Sequence, residues 1–320
     1  MNLKKMKFID LFAGIGGFRY ALESFGCKCV FSSEWDKFCQ QSYELNFGDK
    51  PFGDITKIDE KEIPGFDILC AGFPCQPFSI SGKQKGFEDT RGTLFFDIVR
   101  IVSYHKPKII FLENVKNLKA HNGGATFDMI SNILDSLNYN IYHKVLNAKD
   151  FELPQNRERI TIVCIRKDID NGNYKFPESH KNFKTISDIK EDDSIGDKYL
   201  LKRFDIHIDE EKLHKAIKNG KVQKPVQIGV IGNGGQGNRI YHENGIGITL
   251  AASSGGAAQK TGAYYINGKV RKLTPREAAR LQGFPENFKI IENDSQSLKQ
   301  FGNSVPINLL KDVFKGLEEV

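Results

Sequence analysis

The sequence predicts an α/β protein, a doubly wound domain carrying a smaller, mainly β insertion towards its C-terminal end. Strand-like apolar runs and helix-like patterns alternate through the first half of the 320 residues. The alternation stops near Asp188, where a charge-rich stretch to Lys221 gives way to a glycine-rich, strand-like one ending near Lys272. A strong helix start follows at Thr274, and a run over 307–317 with helical apolar spacing is expected to pack back on the first domain. The implied division is 1–187 plus 275–320 for the larger domain, with a hinge around 275–302, and 188–274 for the smaller.

In chain order, strands are expected over 7–12, 28–33, 66–71, 108–112, 141–146 and 160–166, with helices over 18–25, 36–46, 93–103 and 125–137. Residues 66–71 form the short apolar run of a buried strand. Thr274, Pro275 and Glu277 occupy the N-cap, first and third helical positions of a capping box, and Gly283 ends that helix.

With 39% hydrophobic residues the chain can bury a full core. Lysines near the start precede no long apolar stretch, and nowhere do 18 apolar residues run together, so neither signal peptide nor membrane span is expected and a cytoplasmic protein is. Cys27, Cys29, Cys39, Cys70, Cys75 and Cys164 lack zinc spacing and read as free thiols, and no histidine pair is spaced for a metal. A formal charge of +6 leans weakly towards a polyanionic partner.

The chemistry concentrates at predicted strand ends. Gly72-Phe73-Pro74-Cys75-Gln76-Pro77 places a cysteine on a turn after a buried strand, where open α/β sheets put their ligands. Cys70, inside that strand, is ordinary core. Phe12 to Gly17 is a glycine turn between strand and helix, but Arg19 stands where the dinucleotide fingerprint needs its third glycine, so the turn suits a ligand without phosphates. Glu34 can accept from ribose hydroxyls, and Trp35 offers a flat face for a purine. Glu113 ends another strand on the same rim, and Gln155-Asn156-Arg157-Glu158-Arg159 brings two guanidinium groups before a further one. A thiol, a carboxylate and guanidinium donors together suit nucleophilic attack on an electron-poor ring.

These blocks, with Glu113-Asn114-Val115 and Gly302-Asn303-Ser304-Val305, resemble the DNA cytosine-5 methyltransferase family in order and separation over nearly the whole chain. The resemblance implies a Rossmann-like S-adenosylmethionine-dependent domain with 188–274 as its target recognition domain. It implies Cys75 as the nucleophile at carbon 6 of a flipped cytosine, Glu113 at ring nitrogen 3, and Arg159, with Arg157 nearby, at the carbonyl. Donor binding falls by the same resemblance to Phe12, Gly14, Gly16, Gly17, Glu34, Trp35, Asp54, Ile55, Gly72, Pro74, Leu94, Asn303 and Ser304. DNA contacts fall to Ser79, Ser81, Lys83 and Arg91 of a polar loop expected to close over the duplex, and to Gln236, Arg239 and Thr249 of the insertion.

The implied substrate is double-stranded DNA, methylated at the inner cytosine of GCGC by a monomer that works beside a separate cognate endonuclease. Asn233 and Asn238 depart from the family's charged residues, which leaves GCNGC as an alternative site. A tRNA cytosine-5 methyltransferase shares the same blocks, but the glycine-rich insert argues for duplex DNA. A cysteine-dependent NAD dehydrogenase is disfavoured by Arg19 and by the lack of a histidine beside Cys75. A DNA-binding protein without activity would fit only if methyl transfer failed with Cys75 and Glu113 intact.

Overall fold

A computed structural model of the chain describes residues 1–73, 94–252 and 256–320. It is an α/β fold with mixed sheets, and the described residues divide into two compact units.

The first unit comprises Met1–Leu146, Glu158–Pro177 and Lys311–Val320. Its elements are β1 (Lys7–Leu11), α1 (Gly17–Glu23), β2 (Lys28–Ser33), α2 (Lys37–Phe47), β3 (Ile68–Gly72), α3 (Leu94–His105), β4 (Ile109–Val115), α4 (Ala125–Ser136), β5 (Tyr139–Asn147) and β6 (Glu158–Arg166). The sheet order is β2-β1-β3-β4-β6-β5. β2, β1, β3 and β4 run parallel, and β6 is antiparallel to β4. All four parallel strands therefore end on one edge of the sheet, and β6 begins there.

Local chemistry accounts for the element ends. Asp36 caps α2 by accepting from the amides of Phe38 and Cys39, and Gly48, at φ 79°, closes it in the left-handed region. Ile9, Leu11, Leu69, Ile110 and Leu112 bury one sheet face. On β4, Phe111 meets Phe18 at 5.4 Å and Phe314 at 4.8 Å between ring centroids. The C-terminal segment from Lys311 on belongs to this unit.

The second unit comprises Asn147–Arg157 and Glu178–Leu310. It is wider than the expected insertion of 188–274. Its elements are α5 (Asp193–Gly196), β7 (Ile206–Ile208), α6 (Glu210–Asn219), β8 (Gln227–Ile231), β9 (Arg239–His242), β10 (Ala263–Ile266), β11 (Lys269–Lys272), α7 (Pro275–Gln282) and α8 (Asp294–Asn303). One further helix, α9 (Ile307–Lys315), leads into the first unit's C-terminal segment. The sheet order is β11-β10-β9-β8-β7, antiparallel except for the β9/β10 pair. Leu213, Ala216, Ile228, Ile231, Ile240 and Ala263 form its core.

α6 corrects the reading of the stretch up to Lys221 as merely charge-rich. Asp209 caps it by accepting from Lys212 N, and Leu213 and Ala216 bury a stripe too narrow to dominate its charged composition. Among the described residues, no helix is long and apolar enough to cross a membrane.

Candidate active site

The rim of the first sheet is built by register. Gly72 pairs with Glu113, and Val115 with Arg159. Glu113 and Val115 lie on the same face of β4 because side chains alternate, so Arg159 is the diagonal neighbour of Glu113. Arg159 Nε and Glu113 Oε1 form an ion pair at 3.2 Å, with both side chains largely covered. Arg159 is further oriented through Nη1, which donates to the Glu158 carbonyl at 2.8 Å. A carboxyl and a planar donor thus sit side by side on the rim, as protonation of a ring nitrogen next to a ring carbonyl requires.

Asn114, between Glu113 and Val115 in the sequence motif, is buried at 3% exposure. Its Nδ2 donates to the Phe73 carbonyl at 2.9 Å, and its Oδ1 accepts from Val115 N at 2.8 Å. It clamps the end of β3 to β4 at the last described residue before Pro74. Pro74, Cys75, Ser79, Ser81, Lys83 and Arg91 lie outside the described residues, as does the side chain of Gln236.

The glycine turn follows β1. Phe12, Gly14 and Gly16 all have positive φ, and a Cβ on Gly16 would stand 2.2 Å from the Phe47 ring, so glycine is required there. Glu34 Oε2 accepts from Gly14 N and Oε1 from Asp36 N, each at 2.8 Å. Burial pushes the Glu34 carboxyl above its ordinary value, against the backbone donors that favour the charge. Trp35 beside it is 79% exposed. The Phe52 segment joins the same edge, since Phe52 N donates to Ser32 O and Glu34 N to Phe52 O. Two residues on, Asp54 accepts from Thr56 N and Oγ1, and Ile55 is buried. Gly72 and Leu94 are partly exposed at the ends of β3 and α3, and Gly17 is buried at the start of α1.

Asp10 lies within β1. It is fully buried two residues before Phe12, and among the described residues neither carboxylate oxygen has a hydrogen-bond partner. Burial raises its pKa well above the ordinary value, Arg19 opposing and Glu34 adding to the shift. Two buried carboxyls behind an open glycine turn with an exposed indole fit a ribose-bearing, cationic ligand such as the donor implied by the resemblance. Only the three-dimensional neighbourhood isolates Asp10; an acid in an apolar strand was the available signal.

The second unit holds the remaining expected residues. Arg157, 2% exposed, donates to the carbonyls of Leu250 at 3.4 Å, Gly302 at 3.2 Å and Ser304 at 2.7 Å. Both terminal nitrogens of the expected catalytic Arg157 thus hold backbone. Gln155 adds bonds to Leu281 O and Leu250 N, which explains why 147–157 belongs to this unit. Asn303 is exposed and Ser304 buried. Gly302 packs against Ala251, whose carbonyl carbon a Cβ would approach to 2.6 Å. Arg239 is exposed at the start of β9, and Thr249 is exposed while its hydroxyl donates to Asn156 O. Asn238 Oδ1 accepts from Ala257 N, so the glycine loop is buttressed from behind.

A family model described as C-5 cytosine-specific DNA methylase matches residues 6–319. The chain is 52% identical over 310 residues to the Type II methyltransferase M.HhaI of Haemophilus parahaemolyticus, covering 97% of this chain and 93% of that one. It is 45% identical to the Type II methyltransferase M.HpaII of Haemophilus parainfluenzae, covering 99% and 91%. The solved S. pombe Dnmt2 methyltransferase superposes with a TM-score of 0.71 at 19% identity over 98% of each chain, a likeness of fold.

Proposed function

This chain belongs to the C-5 cytosine-specific DNA methylase family and is a DNA cytosine-5 methyltransferase of the Type II restriction-modification kind, and we propose that it methylates the inner cytosine of GCGC in duplex DNA. The observation that carries the chemistry is the Glu113–Arg159 pair, on the rim where β3 leads into Pro74-Cys75.

The donor is S-adenosylmethionine, which when bound supplies an electrophilic methyl group. With the donor bound, Glu34 would accept from its ribose and Trp35 would cover its purine. Cys75, as thiolate, adds to carbon 6 of the flipped cytosine, while Glu113 holds a proton at ring nitrogen 3 and Arg159 donates to the ring carbonyl. Addition makes carbon 5 nucleophilic. With the donor bound, carbon 5 would take the methyl group as the sulfonium sulfur leaves as a neutral thioether; loss of the carbon 5 proton to water, with return of the ring-nitrogen proton to Glu113, would then expel the Cys75 thiolate and restore the ring. Arg157 is a positioning residue.

The Rossmann-like half is the catalytic domain, and 188–274 is the target recognition segment, which presents Gln236, Arg239 and Thr249 to the DNA. The protein acts as a cytoplasmic monomer beside a separate endonuclease of the same site. The test is plasmid DNA from cells expressing the protein. Bisulfite sequencing should place 5-methylcytosine in GCGC, and an endonuclease that cuts unmethylated GCGC should fail on it. Cleavage at GCGC with 5-methylcytosine at GCNGC would overturn the site and leave the reaction.

A further inference from the structure

Phe204 is the most exposed large apolar side chain among the described residues, at 102% relative exposure. Register sets its place. β7 and β8 pair antiparallel with Ile206 opposite Ile231, and the pairing continues beyond the strands, since Gly232 N donates to Asp205 O at 2.8 Å. Phe204 immediately precedes Asp205, whose carbonyl is thereby tied to Gly232 at the entry of the loop that runs to Arg239.

The segment is held there. The Asp205 carboxylate accepts from Arg203 Nε at 2.8 Å and Nη2 at 2.7 Å, and Gly232 packs so closely that a Cβ would lie 3.2 Å from Asp205 Oδ2. Exposed Lys202 and Arg203 precede the ring. An uncovered phenyl group next to the exposed Lys202, beside a loop read as entering a DNA groove, matches a polyanion that also offers apolar groups. Duplex DNA offers one in its major groove, the C5-methyl of thymine.

We propose that Phe204 packs on the C5-methyl of a thymine flanking the recognition site, with Lys202 on an adjacent phosphate, so that the enzyme prefers thymine-flanked targets. The proposal rests on the loop from Gly232 to Arg239 being the DNA-reading loop.

The experiment uses duplexes containing one recognition site, with thymine at the flanking positions or with deoxyuridine in its place, which removes only the methyl group. Competition binding and methylation rates are measured for wild type, Phe204→Ala and Lys202→Gln. Wild type should prefer thymine by about fourfold, the effect of burying one methyl-sized group. Phe204→Ala should lose the preference. Lys202→Gln should keep it while lowering the log–log salt slope by about 0.9. Equal wild-type affinity for the two flanks, or an unchanged preference in Phe204→Ala, overturns the proposal. Arg239→Ala separates this failure from that of the loop reading: site discrimination lost in Arg239→Ala without any flank effect sinks only the role of Phe204, whereas unaltered discrimination sinks the loop.

Discussion

At the residue scale, the pleat brings Glu113 and Arg159 together although 45 positions separate them in the sequence. Neither residue type is informative alone, since most Glu and Arg side chains form exposed pairs that contribute little. In the proposed mechanism the pair serves as a proton donor beside a donor to the ring carbonyl. Glu113→Gln should lower the rate of methyl transfer by about 10²-fold or more, the usual range for losing a general acid, with duplex binding changed only a few-fold. Radiolabelled methyl incorporation and gel shift measure the two separately; an unchanged rate would remove Glu113 from the chemistry. Asp10 makes a second prediction. Its raised folded pKa means that the native state holds the proton better than the unfolded chain, so the stabilisation is fullest below the ordinary value of 3.8 and declines as pH rises towards the raised value. Asp10→Asn should flatten this decline and raise the thermal midpoint of the ligand-free protein at neutral pH. A steeper decline in the variant would refute the argument.

At the element scale, the start of α7 was legible in Thr274-Pro275-Arg276-Glu277. The structure contains both halves of the box: Glu277 N donates to Thr274 Oγ1 at 3.1 Å, and Thr274 N to Glu277 Oε2 at 2.9 Å. Not legible was the further burden on Glu277, which also accepts from Arg271 Nη1 at 2.7 Å and Nη2 at 2.6 Å, and from Glu191 N. Both partners of this ion pair are almost wholly buried, and a Cβ on Gly196 would come within 2.9 Å of Arg271 Nε. Removing one partner strands the other charge. Arg271→Ala should therefore cost about 3–5 kcal/mol, against about 1 kcal/mol for Thr274→Ala, in chemical unfolding. Similar costs for the two would mean that the pair is solvated. α8 escaped notice for the same reason as α6. Its cap, Asn293 accepting from Gln296 N at 3.1 Å, is an ordinary Asn in a polar stretch until the helix is seen.

At the scale of the whole molecule, a charge of +6 is too small to specify a partner, so electrostatics must act through placed residues. Duplex binding should fall with salt on a log–log slope of about −0.9 for each phosphate contact. Arg239→Ala should add a loss of about 1–3 kcal/mol on the target site and much less on random DNA, the scale of a bidentate guanine contact. Equal losses on both, read by fluorescence anisotropy at several salt concentrations, would make Arg239 a phosphate contact.

Local rules carried the sequence a long way. Alternating periodicity placed β1 to β6 and α1 to α4 within a few residues, and strand ends exposed Glu34 and Glu113, because caps, glycine turns and apolar spacing act over one or two turns of chain. What only the tertiary structure decided depends on partners distant in sequence. The antiparallel entry of β6 beside β4 is what puts Arg159 on the rim with Glu113, while Arg157, two residues earlier, turns both terminal nitrogens to the carbonyls of Leu250, Gly302 and Ser304. No local pattern separates two arginines in one motif. Their roles follow from which backbone each can reach, and that is known only once the sheets have paired.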